Sequence, residues 1–334
     1  MAVKEIGTGI RDSFGRVHNY LRISLTDNCN LRCFYCIPDE DHHFTPTSRL
    51  MSASEIQELA TLFVAAGVSK IRLTGGEPLV RQDASEVILS LSKLPIELTL
   101  TTNGTRIPSF IDVFKEAGIR SVNVSLDTLK AEKFHFITRR KAFENVRNNI
   151  HLLVDNWFHV KVNAVVMKGV NEDEINDFIE WTRETPVHVR FIEFMPFAGN
   201  RWTDNKVVTK QEILQIASEK FDFVSLQNGK NDTAKAFRAD GHIGTFAVIS
   251  TMSEHFCDGC NRIRLTADGK LKNCLFSKTE ADLLTAFRNG SDVLNLIQEN
   301  IMGKHRQLGG QLPSNFAGLL ADSLENRSMI KIGG

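Results

Sequence analysis

Apolar residues along this 334-residue chain recur in two rhythms. Short runs rich in β-branched residues occupy Leu21–Thr26, Ser69–Thr74, Ile96–Thr102, Ser121–Leu126, His159–Met167 and Val187–Met195. Between them, Ala53–Ala66, Ala84–Leu94, Pro108–Ala117, Phe143–Val154 and Glu172–Glu184 carry apolar side chains at helical spacing. Strands alternating with helices predict a parallel β/α array. Six strands fall short of the eight of a closed barrel, so the expected fold is α/β, an incomplete (β/α)6 TIM-type barrel. After about Trp202 the rhythm changes. A helical pattern at Lys210–Lys220 leads into a Gly- and Asp-punctuated stretch from Asn228 to Gly244, then strand-like Thr245–Ser250. Helical patterns return at Glu280–Phe287 and Ser291–Ile301. A boundary near 205–225 divides a partial barrel (1–205) from a C-terminal region (206–334) expected to cover the barrel mouth.

Basic residues interrupt this pattern. Arg22, Lys70, Arg72, Lys161 and Arg190 sit inside expected strands, out of phase with their apolar neighbours, so several point into the barrel. A lone embedded lysine or arginine usually snorkels or forms an ion pair. Five spread over four strands call for a polyanion nearby. Arg262 and Arg264 alternate along another expected strand and share one face, suited to phosphate or to a plain solvated face. No Walker loop is present, so a triphosphate would be held by side chains.

Hydrophobic residues make up 42% of the chain and charged residues 24%, and 40 cations balance 40 acidic residues. Net neutrality argues against a nucleic-acid polymer as partner. The polar start reads as no signal peptide, and no stretch approaches the roughly 20 apolar residues that span a bilayer. The expectation is a soluble cytoplasmic protein with no membrane partner.

All six cysteines fall into two sets of three. Cys29, Cys33 and Cys36 are spaced x3-x2, with Tyr35 before the last; Cys257, Cys260 and Cys274 are spaced x2-x13. Three thiolates can bind an iron–sulfur cube but leave one of its irons open, whereas a cube with no open iron takes four. The plainer readings are a zinc knuckle or buried thiols for the first set, and a zinc ribbon completed by His255 for the second. His255 stands too close to Cys257 for a usual fourth ligand, so a second cluster fits better. Other distinctive residues gather at strand ends, where ligands bind parallel folds: Gly75-Gly76-Glu77-Pro78, Thr101-Thr102-Asn103-Gly104, Asn123-Val124-Ser125-Leu126-Asp127 and Met195. Each taken alone is as readily a turn, a cap or core.

Cys-x3-Cys-x2-Cys with its aromatic residue, followed by Gly-Gly-Glu-Pro, resembles the signature of radical S-adenosylmethionine (SAM) enzymes. The second cysteine segment, Asp12-Ser-Phe-Gly-Arg16, Arg190-Phe-Ile-Glu-Phe-Met-Pro196 and the terminal Gly333-Gly334 extend the resemblance to the molybdenum cofactor biosynthesis protein A family. Members of that family are lyase-type GTP 3′,8-cyclases. The resemblance implies two [4Fe–4S] clusters, the SAM-cleaving one on Cys29, Cys33 and Cys36 and the other, facing guanine, on Cys257, Cys260 and Cys274. It implies SAM contacts at Tyr35, Gly76, Ser125 and Met195, with Gly-Gly-Glu-Pro receiving the methionyl amino group. It implies GTP contacts at Arg22, Lys70, Arg72, Thr101, Lys161, Arg190, Arg262 and Arg264, the last two counted as catalytic with the first three cysteines. A 5′-deoxyadenosyl radical would abstract the C3′ hydrogen of GTP, and C3′ would bond to guanine C8. Implied partners are a flavodoxin or ferredoxin as electron donor and cyclic pyranopterin monophosphate synthase downstream, for a monomer or homodimer. Phe276–Glu280 and the loop 303–310 find no role in the resemblance, and 225–244 fits it loosely. Rival readings are a peptide-modifying radical SAM enzyme, a two-cluster electron carrier and a zinc-stabilised nucleotide-binding module.

Overall fold

The structure, a computed structural model, describes residues 9–38, 42–313, 315–321 and 324–333. Gly334, one half of the glycine tail, lies outside the described residues. The first half supplies β1 (Tyr20–Ser24), β2 (Lys70–Thr74), β3 (Glu97–Thr102), β4 (Ser121–Ser125), β5 (His159–Val166) and β6 (His188–Glu193). They pair in sequence order, and every pair is parallel. The crossovers carry α1 (Ala53–Ala65), α2 (Ala84–Leu91), α3 (Ile111–Glu116), α4 (Ala131–Thr138), α5 (Phe143–Asp155) and α6 (Ile175–Trp181). A capping box starts α1: Glu55 N–H donates to Ser52 Oγ at 3.2 Å and Ser52 N–H donates to the Glu55 carboxylate at 2.8 Å.

The periodicity located these elements but misjudged some ends. The helices expected over 108–117 and 172–184 open with tight 3-10 turns at Ile107–Ser109 and Glu172–Glu174, so α3 and α6 are shorter. α4 went unpredicted because two turns show too little of a 3.6-residue period. It is tertiary packing of Phe134 and Ile137 that holds it.

The second half adds α7 (Lys210–Ser218), β7 (Phe223–Ser225), β8 (Ala234–Ala239), β9 (Thr245–Ile249), β10 (Arg262–Leu265), β11 (Lys270–Lys272) and β12 (Ala281–Asp282). It closes with α8 (Leu283–Arg288), α9 (Val293–Met302) and α10 (Met329–Ile332). Among the described residues one sheet runs β12-β11-β10-β1-β2-β3-β4-β5-β6-β9-β8-β7. The second half therefore extends the sheet at both ends. β9 joins β6 and β10 joins β1, each in parallel, while β7, β8, β11 and β12 form antiparallel edges.

Strand parity divides the sheet chemically. In β5, Val160, Val162, Ala164 and Val166 are buried in the main core, whereas Lys161 and Asn163 alternate with them on the other face. In β6, Val189 and Phe191 enter that core while Arg190 and Ile192 face away. Full burial of a side chain such as Phe191 stabilises the fold by about 1.5–3 kcal/mol. The helices thus cover an apolar face, and the polar face is left to surround a cavity.

Candidate functional site

The first cysteine set lies on the loop leaving β1. Cys29, Cys33 and Cys36 are free thiols, each half-buried. The end of α4 fixes this loop: Arg32 N–H donates to Thr138 O at 2.9 Å and Phe34 N–H donates to Ile137 O at 3.1 Å. Arg139, in left-handed backbone at φ 56°, donates to Ile37 O at 3.2 Å and Pro38 O at 3.1 Å. Tyr35 Oη donates to Asp127 Oδ2 at 2.7 Å, so the Asn-Val-Ser-Leu-Asp motif braces the loop. Burial pushes the Cys29 thiol up to about 11 and the Cys36 thiol up to about 12. Thiolates there need a positive partner such as a bound metal centre.

Gly76 is required by space. A Cβ at this position would lie 2.4 Å from Asn28 O and 2.6 Å from Asp27 O, so only glycine lets β2 end against the cysteine loop. The neighbouring Glu77 is fully buried and accepts from Leu79 N–H at 3.0 Å, Thr102 Oγ1 at 2.8 Å and Asn103 N–H at 2.6 Å. Burial raises its carboxyl to about 7 against the pull of these bonds. Gly-Gly-Glu-Pro and Thr-Thr-Asn-Gly thus meet as one brace, and Asn103 Nδ2 carries it on to Cys29 Sγ at 3.8 Å. Ser125 ends β4 opposite Asn163, and Met195 follows β6 and packs in the apolar cluster that includes Tyr35.

The polar face of the sheet encloses a cavity of about 390 Å³. Arg22, Lys70, Arg72, Lys161, Arg190, Arg262 and Arg264 line it, as do Cys257, Cys260, Cys274 and Met195. Register explains the convergence. Arg22 stands between Arg72 and Arg264 on neighbouring strands, Tyr20 between Lys70 and Arg262, and Asn163 beside Arg190. Arg190 Nε and Nη2, Arg262 Nε, Asn123 Oδ1 and Asn163 Oδ1 are buried without a hydrogen-bond partner among the described residues. Burial and the neighbouring cations, Arg190 and Arg72 first, lower Lys161 to about 8. Burial and Arg72 likewise lower Arg190 to about 9. Tyr20 is drawn down to about 8, because the Arg72 and Arg22 charges outweigh its burial. Like charges held this way call for an anion.

Three expected contacts are modified. Thr101 is not on the cavity wall and meets it only through Arg72, whose Nη1 donates to Thr101 Oγ1 at 3.4 Å. Lys70 lines the cavity yet also pairs with Glu97 at 2.7 Å. Arg264 Nη1 donates to Gly333 O at 2.7 Å, so the chain's own tail enters the site. A Cβ on Gly333 would come within 2.8 Å of Thr74 Oγ1. Met329, at the start of α10, also lines the cavity.

In the second set, burial raises Cys260, but the Lys304 and Arg262 charges prevail and lower it to about 7. His255 lines the cavity and faces Thr251 O at 3.3 Å. Among the described residues, no three His, Cys, Asp or Glu side chains converge on one metal ion. Two sets of three free thiols suit a cluster that each set ligates through three irons. Asn123, expected among the strand-end ligand residues, lines the cavity, whereas the sequence reading missed Tyr20, Asn163 and Lys304. Tyr20 shares the parity of Arg22 and Asn163 that of Lys161, so both were legible on that ground. Lys304 carried no such signal.

A parallel α/β sheet with a Cys-x3-Cys-x2-Cys loop at the carboxyl end of β1 makes this a radical SAM protein. Residues 23–182 match the family model described as Radical SAM superfamily, and residues 187–309 match Molybdenum Cofactor Synthesis C. The chain is 47% identical over 330 residues to the mitochondrial GTP 3′,8-cyclase of Arabidopsis thaliana, covering 97% of this chain and 83% of that one. It is 40% identical to GTP 3′,8-cyclase of Listeria monocytogenes, covering 88% and 90% of the two chains. The chain therefore belongs to the GTP 3′,8-cyclase family. It is also 44% identical to molybdenum cofactor biosynthesis protein 1 of Homo sapiens, of whose length it spans about half, 51%. In fold it is similar to SuiB of Streptococcus suis, with a TM-score of 0.64 at 15% identity, covering 86% of this chain and 68% of that one.

Proposed function

We propose that the chain is a radical SAM GTP 3′,8-cyclase taking the first step of molybdenum cofactor biosynthesis. It would join C3′ of the GTP ribose to guanine C8 and form 3′,8-cyclo-7,8-dihydro-GTP. The observation that carries this reading is the cavity, where cations from five strands face three thiols across a volume suited to one nucleotide. In this reading Arg22, Lys70, Arg72, Lys161, Arg190, Arg262 and Arg264 hold the triphosphate end, with Thr101 acting behind Arg72. Cys257, Cys260 and Cys274 hold a second [4Fe–4S] cluster at the guanine end. Gripping both ends orients the ribose, which is a positioning task. Cys29, Cys33 and Cys36 hold the first cluster, and Tyr35, Gly76, Ser125 and Met195 hold SAM. When bound, that pair supplies the 5′-deoxyadenosyl radical that takes the C3′ hydrogen.

The curved sheet reads as an incomplete (β/α)6 barrel, with 1–205 as the barrel and 206–334 as the region bearing the second centre over its mouth. A small flavodoxin- or ferredoxin-type protein would supply electrons, and cyclic pyranopterin monophosphate synthase would consume the product. Six free thiols support a reducing compartment such as the cytoplasm. The test is anaerobic reconstitution with iron and sulfide, then reductant and SAM, comparing 5′-deoxyadenosine release with and without GTP. Stimulated release with cyclisation of GTP is expected. SAM cleavage that leaves GTP untouched would refute the substrate.

A further inference from the structure

The loop 303–310 and the Asp12-Ser-Phe-Gly-Arg16 turn, both without a role so far, meet behind the second cysteine set. Lys304 is only 3% exposed. Lysine is almost never buried this far unless its charge is compensated. Its Nζ donates to Arg262 O at 3.0 Å, to Cys260 Sγ at 3.5 Å and to His18 Nδ1 at 3.5 Å. Among the described residues none of these partners is a carboxylate. A carboxylate acts on it through an imidazole: His18 Nε2 donates to Asp12 Oδ2 at 3.0 Å. That bond places the ring proton on Nε2, leaving Nδ1 to accept from the ammonium. Asp12 is held in turn by Phe14 N–H at 2.9 Å and Arg16 N–H at 3.0 Å. Arg16 Nη1 reaches across to Cys257 O at 2.8 Å. The turn thus orients both the ammonium and the cysteine loop.

We propose that Lys304 is a positioning residue of the second centre, and that its charge-assisted hydrogen bond to Cys260 Sγ raises the reduction potential of the cluster held there. The proposal rests on the reading that Cys257, Cys260 and Cys274 hold a cluster. Hydrogen bonds to ligating sulfurs and local charge are among the factors that set such potentials. A buried cation 3.5 Å from one of those sulfurs favours the reduced, more negative form.

The test uses the full chain carrying Cys29→Ala, Cys33→Ala and Cys36→Ala, so that only the second set can bind iron. After reconstitution, iron is counted and the midpoint potential is read by spectroscopically monitored redox titration. The parent should bind about four irons; no iron would refute the cluster reading itself, separately from the role of Lys304. Lys304→Met should keep its iron and titrate at a more negative potential, with Lys304→Arg restoring most of the difference. Equal potentials in parent and Lys304→Met at equal iron content would overturn the proposal. Should Lys304→Met bind no iron, Lys304→Gln takes its place, with the same negative shift expected. An unshifted or empty Lys304→Gln would overturn the proposal in favour of a packing role.

Discussion

Arg190 offers a test in which stability and binding move in opposite directions. The residue is half-buried in β6, and two of its nitrogens are buried with no hydrogen-bond partner among the described residues. Burial and the nearby Arg72 charge hold its acid constant at about 9 against the ordinary 12.5. At 1.36 kcal/mol per pH unit this is about 3–5 kcal/mol of unfavourable desolvation and repulsion. The sign follows directly: the folded, ligand-free protein disfavours the charged form that arginine keeps at neutral pH. Arg190→Met preserves most of the stem and removes the charge. Exchanging buried charge for apolar volume typically gains about 1–4 kcal/mol. At roughly 2 °C per kcal/mol the ligand-free melting temperature should rise by several degrees. With GTP the order reverses, because a hydrogen bond to a charged group contributes about 1.5–3 kcal/mol. Losing it should weaken GTP binding by roughly 10- to 150-fold. Anaerobic calorimetric melts and GTP titrations on the same preparations read both effects. A variant that melts lower without GTP, or that binds GTP as tightly as the parent, refutes the argument that this charge is held in wait for an anion.

Lys161, lowered to about 8, is a base disfavoured in its charged form by the fold. Between pH 8 and 10 the unfolded chain binds more protons than the folded one, so ligand-free stability should rise with pH over that window. GTP should reverse this by restoring the charge, so binding at pH 8.5 should take up a proton, measured by calorimetry in buffers of different ionisation enthalpy; no uptake would count against Lys161 as a phosphate contact. Gly76→Ala places a methyl 2.4 Å from Asn28 O. It should cost about 1–3 kcal/mol and abolish SAM-dependent 5′-deoxyadenosine release, while the second set keeps its iron. Finally, replacing Cys257, Cys260 and Cys274 by Ala should halve the iron from about eight to about four per chain. Zinc in place of the missing iron in the parent would contradict the two-cluster reading.

How legible all this was in the sequence varied with the range of the forces involved. The six strands of the first half announced themselves as short apolar runs, and their parallel order followed from the helices between them. β7 and β8 did not. Ala234-Lys-Ala-Phe-Arg-Ala239 has weak alternation, and it pairs because β9 offers a free edge. The inward set of basic residues was legible from parity. Tyr20 and Asn163 were legible by the same rule, yet uncharged side chains raised no alarm about burial.

By itself, the sequence determined which atoms are available: two triplets of thiols, an excess of cations out of phase with apolar strand positions, and glycine where β2 must end against the cysteine loop. These follow from spacing and parity, which act over a few residues. Only the tertiary structure decided that β10 lies beside β1, bringing Arg264 level with Arg22 and Arg72, and that the tail delivers Gly333 to Arg264. It alone set Lys304 against Cys260 and joined it through His18 to Asp12. Such contacts link residues up to 286 positions apart. Strand order and packing choose them, and no local pattern in the chain records that choice.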